Sequence, residues 1–233
     1  MADRKQSALI TGGTGGLGAA VVDAFLAAGW RVAVPWIYES ELERVPEREG
    51  LELVRADLFE PDDVARAVRV ATAEPAAPLR ALVNLVGGFD APGNVVDVPL
   101  ERFERQFQLN LRPTYLVCQA AIPVLIEGGG GAIVCVSSRA ALHPFAGAAG
   151  YCASKAAVLA FAKALDAEYA AEGVRTNAIL PSQIDTPANR EAMPPEQHSK
   201  LVPPQQIASV ILHLCSDDSA ATSGAAVPVY GRA

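Results

Sequence analysis

The sequence predicts one α/β domain over residues 1–233, built as a doubly wound parallel sheet with helices on both faces. Apolar, strand-like runs alternate with helical segments of about ten or more residues, which is the pattern of βαβ units. The runs are continuously apolar, as expected for strands that are buried on both faces. Neither a linker nor a shift in composition divides the chain. In such a fold we expect the ligand at the carboxyl ends of the strands.

The first half of the chain contains four predicted strands and two predicted helices. The strands are Ser7–Thr11, Arg31–Trp36, Leu51–Arg55 and Leu79–Val86. The first helix, Leu17–Ala28, carries apolar residues at helical spacing and is followed by a glycine that ends it. The second, Glu60–Ala73, has a proline and two acids in its first turn, where both residue types are favoured.

The second half repeats the alternation with longer helices. Its predicted strands are Ala132–Val136, Val174–Leu180 and Ala225–Tyr230. Its predicted helices are Leu100–Ile126, Gly150–Glu172 and Pro203–Ser216. The first of these helices contains Pro113, and we expect a bend there because proline cannot donate the backbone hydrogen bond of a continuous helix.

Composition and charge exclude several classes of protein. The chain is 51% apolar and only 19% charged, which suits a large core and not a disordered chain. Its net charge of −7 offers no electrostatic attraction to a phosphate backbone, so no nucleic-acid partner is expected. The longest uncharged stretch, Gln6–Val22, is rich in glycine and does not resemble a membrane span. The four cysteines are widely spaced, which argues against a zinc site or a disulfide framework, and we expect a cytoplasmic protein.

A glycine-rich turn, Thr11–Gly18, lies between the first predicted strand and the first predicted helix. Glycine lets the backbone turn sharply and approach a ligand closely. The unpaired N–H groups at the start of the helix then face an anion such as a pyrophosphate. In this strand–turn–helix context the turn predicts dinucleotide binding and not a simple flexible loop.

The residues expected around the adenosine ribose distinguish the two nicotinamide cofactors only weakly. An acid at the end of the second strand is typical of NAD sites, and a nearby arginine is typical of NADP sites. Here no acid stands at Trp36, and no base stands at Ile37 or in the glycine turn. With no cation to neutralise a 2′-phosphate, NAD(H) is mildly favoured. Asp57 follows the third strand, where it either contacts the adenine or caps a helix.

Tyr151 and Lys155 lie four residues apart at the start of the long predicted helix, which places them on one helix face. A phenol titrates near pH 10 and is a poor acid–base group at neutral pH. A neighbouring ammonium favours the phenolate, so we expect Lys155 to lower the pKa of Tyr151. Ser138 follows the fifth predicted strand, where its hydroxyl could stabilise negative charge on a substrate oxygen.

Together, the glycine turn, Asn84-Leu85-Val86-Gly87, Asn110, Ser138 and the Tyr151/Lys155 pair resemble the short-chain dehydrogenase/reductase family, in chain order and over nearly the whole chain. The resemblance implies a Rossmann-type sheet of strand order 3-2-1-4-5-6-7 and an NAD(P)(H)-dependent oxidoreductase that interconverts a carbonyl and a secondary alcohol. It also implies assembly as a tetramer or dimer through the two long helices.

The family's residue roles carry over by position. The implied catalytic residues are Asn110, which bends the long helix and holds a relay water, Ser138, Tyr151 and Lys155. The implied cofactor-binding residues are Gly12, Thr14, Gly16, Leu17, Gly18, Trp36, Asp57, Leu58, Asn84, Tyr151, Lys155, Pro181, Ile184 and Thr186.

Departures from the family pattern leave two alternatives open. The usual Asn-Asn-Ala-Gly is Asn84-Leu85-Val86-Gly87 here, and the usual Pro-Gly after the sixth strand is Pro181-Ser182. The stretch from Leu180 to Pro194 is similar to a loop of dihydropteridine reductases, so a pteridine reductase is one alternative. A non-catalytic dinucleotide-binding redox sensor is the other. Residues 187–204 form either a mobile lid or an ordinary surface loop, and His143 either edges the substrate pocket or lies on a surface loop.

Overall fold

A computed structural model, which describes residues 6–232, contains a seven-stranded parallel sheet. The strands are β1 (Ser7–Thr11), β2 (Arg31–Trp36), β3 (Leu51–Arg55), β4 (Leu79–Asn84), β5 (Gly131–Val136), β6 (Val174–Pro181) and β7 (Ala226–Val229). Their order is β3-β2-β1-β4-β5-β6-β7, and every neighbouring pair is parallel. The predicted fold class and strand order are confirmed.

Helices cover both faces of the sheet. They are α1 (Gly18–Ala27), α2 (Pro61–Ala71), α3 (Leu100–Asn110), α4 (Arg112–Glu127), α5 (Ala149–Tyr169), α6 (Pro187–Ala192) and α7 (Pro204–Cys215). Helices α2, α4 and α5 pack on one face and share a core with Leu9 and Ile133. Helices α1 and α7 pack on the other face, where Ala8 and Ile10 point. Successive strand residues therefore enter opposite cores, which explains the continuously apolar strands.

The predicted helix Leu100–Ile126 is interrupted once. Helix α3 ends at Asn110, and α4 begins at Arg112, with Leu111 between them at φ −104° and ψ −45°. Pro113 lies in the first turn of α4, where its missing N–H breaks the hydrogen-bond series of a continuous helix. The bend is therefore a junction between two helices, and it fixes the position of Asn110.

The remaining boundaries shift by a few residues at most. Strand β4 ends at Asn84 and not at Val86, and α5 ends at Tyr169, followed by a 3₁₀ turn to Glu172. Gly173 closes that turn at φ +80°. Helix termini fray and often tighten into 3₁₀ geometry, so differences of this size leave the topology unchanged.

By length and apolar composition alone, the segment Leu100–Glu127 could cross a membrane, although no membrane span was expected. In the fold this segment is the α3–α4 pair, and 44% of its apolar window is buried. Val117, Ala121 and Leu125 of α4 lie fully buried in the core that the helix shares with the sheet. The apolar character of α4 is thus accounted for by its packing on the sheet.

Candidate active site

The predicted site residues gather at the carboxyl edge of the sheet. The glycine turn follows β1, Asn84 is the last residue of β4, and Ser138 lies two residues beyond β5. Pro181 is the last residue of β6 and is buried. Parallel strands end at a common edge, so four segments that are distant in sequence meet around one crevice.

Close packing explains the glycines of the turn. A Cβ added at Gly18 would lie 2.0 Å from the carbonyl oxygen of Gly12, and Gly12 itself adopts φ +65°. Helix α1, which follows, has no side-chain cap and no acid in its first turn. Its first N–H groups and positive dipole end therefore suit an anion, and the turn fits the pyrophosphate of a dinucleotide.

Thr186 lies against this turn from the other side of the crevice. A Cβ added at Gly16 would come within 2.9 Å of the Thr186 methyl carbon. The Thr186 hydroxyl accepts a hydrogen bond from the Asn189 N–H at 3.3 Å and so caps α6. Ile184, just before it, pairs with Val202 in an isolated β-bridge. Predicted residues Gly16 and Thr186 are therefore in contact.

The segment predicted as a lid or surface loop contains regular structure. Residues 187–204 contain α6 and a 3₁₀ helix, Pro195–Lys200. Arg190 pairs with Asp185 through two hydrogen bonds, and the His198 ring lies 3.0 Å from two main-chain carbonyls. The segment is thus an ordered flap beside the crevice, and its opening and closing stay a prediction.

An acid and a base reach the glycine turn from an unforeseen direction. The Thr14 hydroxyl donates to a carboxylate oxygen of Glu41 at 2.7 Å, and Arg44 donates to the Thr14 carbonyl at 3.1 Å. The two side chains also pair with each other at 3.5 Å. Both belong to a 3₁₀ helix, Glu39–Arg44, that follows Trp36. The expectation of no cation near the turn was therefore wrong, because this helix folds Arg44 back onto it.

Asp57 and Leu58 serve local structure through their side chains. The Asp57 carboxylate accepts a hydrogen bond from the Phe59 N–H at 3.0 Å, which closes a turn just before α2. The alternative of a helix cap is wrong, because the N-cap of α2 is Glu60 and this helix has no side-chain cap. Leu58 is 7% exposed and packs in the core that α2 shares. Cofactor contacts of these residues stay predictions. Because the Leu58 side chain is buried in the core, any contact of this residue with a cofactor would come from its main chain.

Asn84 is buried beneath the crevice. Its amide nitrogen lies 3.3 Å from the Cys118 sulfur and 3.8 Å from the Cys135 sulfur, and its carbonyl oxygen has no partner among residues 6–232. Asn84 is 3% exposed, and its contact with Cys118 of α4 places its side chain on the α4 side of the sheet. A cofactor contact of Asn84 stays a prediction.

Tyr151 and Lys155 lie one turn apart in the first two turns of α5. The Ser137 hydroxyl donates to the Lys155 carbonyl at 2.7 Å and ties the helix to the end of β5. The Lys155 ammonium donates to the Val136 carbonyl at 3.0 Å. Lys155 is 6% exposed, and burial lowers its pKa to about 8. The lysine is therefore close to its titration point at neutral to mildly alkaline pH.

Ser138 and Tyr151 also meet. Burial raises the pKa of Tyr151 above its usual value, and a hydrogen bond with the Ser138 hydroxyl offsets part of this effect. We expected Lys155 to lower the pKa of Tyr151, and this prediction is wrong for the protein without a ligand. The reason is physical: desolvation disfavours the phenolate, and the Lys155 ammonium points to the Val136 carbonyl. At neutral pH the phenol keeps its proton.

Asn110 connects three segments around Lys155. Its side-chain oxygen accepts from the Gly88 N–H at 2.9 Å, and its amide donates to the Ser154 hydroxyl at 3.0 Å. A Cβ added at Gly87 would lie 2.5 Å from the Asn110 oxygen and 3.0 Å from the Lys155 nitrogen. Asn110, at the α3–α4 junction, therefore holds the loop after β4 against α5.

Aromatic side chains border Tyr151 on the solvent side. The Phe89 ring meets the Tyr151 ring edge-on at 5.0 Å between centroids, and Phe145 lies 6.4 Å from Phe89. Phe89 is 64% exposed. A bidentate ion pair of Arg102 with Asp90, at 2.8 and 3.0 Å, fixes the loop that carries Phe89. Asp90, Arg102 and Tyr151 line a cavity of about 290 Å³.

Among residues 6–232, no three His, Cys, Asp or Glu side chains are placed to hold a metal ion. The arrangement instead combines a turn suited to an anion with a phenol, a hydroxyl and an ammonium at one edge of the sheet. Such a set can bind a dinucleotide and exchange a proton with a substrate oxygen.

Comparison with known proteins agrees with this geometry. The family model described as short chain dehydrogenase matches residues 6–197. The chain is 32% identical to 2-(R)-hydroxypropyl-CoM dehydrogenase of Xanthobacter autotrophicus over 96% of each chain. It is also 32% identical to D-threitol dehydrogenase of Mycolicibacterium smegmatis, over 96% of this chain and 91% of the relative.

One similar solved structure contains a nicotinamide cofactor. The 3-ketoacyl-(acyl-carrier-protein) reductase of Brucella melitensis, solved in complex with NADH, superposes with a TM-score of 0.87. It is 30% identical and covers 97% of this chain and 98% of its own. The glycine turn and α1 of the present chain suit such a dinucleotide. The chain belongs to the short-chain dehydrogenase family and is an oxidoreductase that acts on CH–OH groups with a nicotinamide dinucleotide.

Proposed function

We propose that the chain interconverts a carbonyl and a secondary alcohol, with Tyr151 as the proton-transfer group. The observation that supports this most strongly is the proximity of the Tyr151 phenol to the Ser138 hydroxyl at the carboxyl edge of the sheet. Lys155 lies one turn further along the same helix. A bound nicotinamide cofactor supplies or accepts the hydride. The chain's own residues bind, orient and exchange the proton.

Each side chain has a separate task. The Tyr151 phenol keeps its proton at neutral pH and can donate it to a carbonyl oxygen as negative charge develops there. The Ser138 hydroxyl holds the same oxygen, and the Lys155 ammonium holds ribose hydroxyls of the cofactor. Asn110 is a positioning residue, since its side chain is occupied by Gly88 and Ser154.

The test replaces Tyr151 with phenylalanine, which keeps the ring that packs on Phe89 and removes the acidic hydroxyl. Loss of a general acid reduces turnover by about 10²–10⁴-fold, and we expect NADH affinity to change little. Tyr169→Phe, at the far end of the same helix, is the matched control. A carbonyl and alcohol panel is assayed with both cofactors.

Three results would contradict the proposal. The first is full activity of Tyr151→Phe. The second is turnover of quinonoid dihydropterins alone, which would favour the pteridine reductase. The third is tight cofactor binding by the wild type without turnover of any carbonyl or alcohol, which would favour the redox sensor.

NAD(H) is the proposed cofactor, now for a different reason. The Glu41 carboxylate lies at the glycine turn, hydrogen-bonded to Thr14, and can accept hydrogen bonds from ribose hydroxyls. The same negative charge opposes a 2′-phosphate. Arg44, the nearby cation, is engaged by Glu41 and by the Thr14 carbonyl, so its charge is partly neutralised.

A homo-oligomer is proposed through α3, α4 and α5. Leu100 and Phe103 of α3 are 63% and 37% exposed, and Tyr115 of α4 is 47% exposed. The Tyr115 ring packs 5.8 Å from Phe161 of α5, so the aromatic surface continues across both helices. Large exposed apolar residues that adjoin one another mark contact surfaces. A second copy of the chain is the proposed occupant.

A further inference from the structure

Arg139 differs from the other arginines that border the crevice. Arg102 and Arg190 each pair with an aspartate. Arg139 directly follows Ser138 and forms no ion pair among residues 6–232. Its guanidinium carbon instead lies 5.1 Å from the centroid of the Tyr230 ring. The cation is therefore held on an aromatic face with its N–H donors left for another partner.

Tyr230 lies at the carboxyl edge of the sheet, where its main chain is held. The Ser182 hydroxyl, just beyond β6, donates to the Tyr230 carbonyl at 2.9 Å. The His143 ring approaches Tyr230 at 6.5 Å between centroids. Arg139 thus stands where β5, β6 and β7 end, on the segment that carries Ser138. This is the substrate side of the proposed reaction centre.

A surface arginine is ordinarily solvated, and stacking on a tyrosine can be its whole role. Three features favour a binding role here. Arg139 is only half-exposed, its guanidinium lies over the Tyr230 ring, and it directly follows the residue whose hydroxyl is proposed to hold the substrate oxygen. A guanidinium offers two parallel N–H donors, which match the geometry of a carboxylate or sulfonate.

We infer that Arg139, supported by Tyr230, binds an oxyanion at the far end of the substrate. The substrate class is then a ketone or secondary alcohol that carries a carboxylate or sulfonate group. This inference rests on the proposed function, because it takes the reacting oxygen to lie at Ser138 and Tyr151. It assigns to Arg139 a role in specificity and not in the proton transfer.

The test compares matched probes that differ in charge. They are 4-oxopentanoate with 4-oxopentanamide, 4-acetylbenzoate with 4-acetylbenzamide, and 4-acetylbenzenesulfonate with its sulfonamide. Binding of the ketones is measured by calorimetry with NAD⁺ present, which has no hydride to give, and turnover is measured separately with NADH on the same preparations. The variants are Arg139→Gln, Arg139→Lys, and Arg69→Gln as a control that removes the same charge from the exposed end of α2.

In the wild type and in Arg69→Gln we expect at least one anion to bind about tenfold or more tighter than its neutral partner, as for a charge-assisted hydrogen bond. In Arg139→Gln the preference should vanish while the neutral probe and NADH bind as before. Arg139→Lys should keep part of the preference for the anionic probe, since lysine retains the positive charge but lacks the two parallel N–H donors of a guanidinium. Retained NADH affinity shows that the variants are folded.

Equal affinity for all three pairs in the wild type would overturn the inference, as would an unchanged preference in Arg139→Gln. Turnover without any anion preference would overturn the oxyanion site and leave the proposed reaction standing. An anion preference in binding with no turnover would support the site and contradict the proposed reaction. The two failures are thus distinguishable.

Discussion

Replacing Lys155 with methionine isolates the electrostatic effect of a buried ammonium next to the proposed catalytic tyrosine. Lys155 is 6% exposed, and burial lowers its pKa from 10.5 to about 8. Between these two values the unfolded chain binds more protons than the folded chain. The free energy of unfolding therefore rises with pH across this window, and the charged form at lower pH is the less stable one.

The magnitude follows from the two pKa values. The full interval corresponds to on the order of 3 kcal/mol, at about 1.4 kcal/mol per pH unit. About 2 kcal/mol of this should appear between about pH 8 and pH 10. Methionine is unbranched and of similar length, so it can occupy the same space without a titratable group. Loss of the hydrogen bond to the Val136 carbonyl lowers stability by an amount that changes much less with pH.

The assay is urea unfolding of the wild type and Lys155→Met over this pH range. The raised pKa of Tyr151 acts in the opposite direction, but above pH 10. The difference in unfolding free energy between the wild type and Lys155→Met isolates the contribution of the lysine. Lys163 is exposed on the same helix, so Lys163→Met controls for the removal of a cation. A difference that stays constant from pH 8 to pH 10 would refute the reasoning.

Three further predictions concern the cofactor, the turn and assembly. Glu41→Gln should raise the affinity for NADPH relative to NADH by about tenfold, measured by fluorescence titration, and an unchanged ratio would contradict the role of its carboxylate. Gly18→Ala, whose Cβ would lie 2.0 Å from the Gly12 carbonyl, should lower stability by about 1–3 kcal/mol and weaken NADH binding. In Gly15→Ala the nearest atom is 3.2 Å away, so the loss should be clearly smaller, and equal losses in urea unfolding would count against the steric argument. Sedimentation at micromolar concentration should show a dimer or tetramer that Tyr115→Glu dissociates, and a monomeric wild type would exclude the proposed interface.

Most of the fold was predictable because it depends on local, short-range patterns. The bounds of β1, β2 and β3 match the apolar runs Ser7–Thr11, Arg31–Trp36 and Leu51–Arg55. Strands that are buried on both faces leave an uninterrupted apolar signal, and helices between them leave a period of 3.6 residues. The break at Leu111 was harder to place, because proline in a first turn is compatible with either a bend or a new helix.

The site was predictable where chain order determines proximity. Ser138 follows one strand and Tyr151 begins the next helix, so their meeting follows from topology. Glu41 and Arg44 illustrate the opposite case. They reach Thr14 across 27 and 30 residues through a short 3₁₀ helix, and no local pattern signals such a contact. The pKa of Tyr151 was also missed, because its direction depends on burial and on where the Lys155 ammonium points.

The proposed chemistry requires Tyr151 and Ser138 to face the reacting end of a dinucleotide whose pyrophosphate lies at the glycine turn. A crystal structure of the protein with bound NADH would show this arrangement. We expect the pyrophosphate at the start of α1 and the nicotinamide ring beside the hydroxyls of Tyr151 and Ser138. A nicotinamide bound away from Tyr151, or a Tyr151 hydroxyl turned away from the ring, would contradict it.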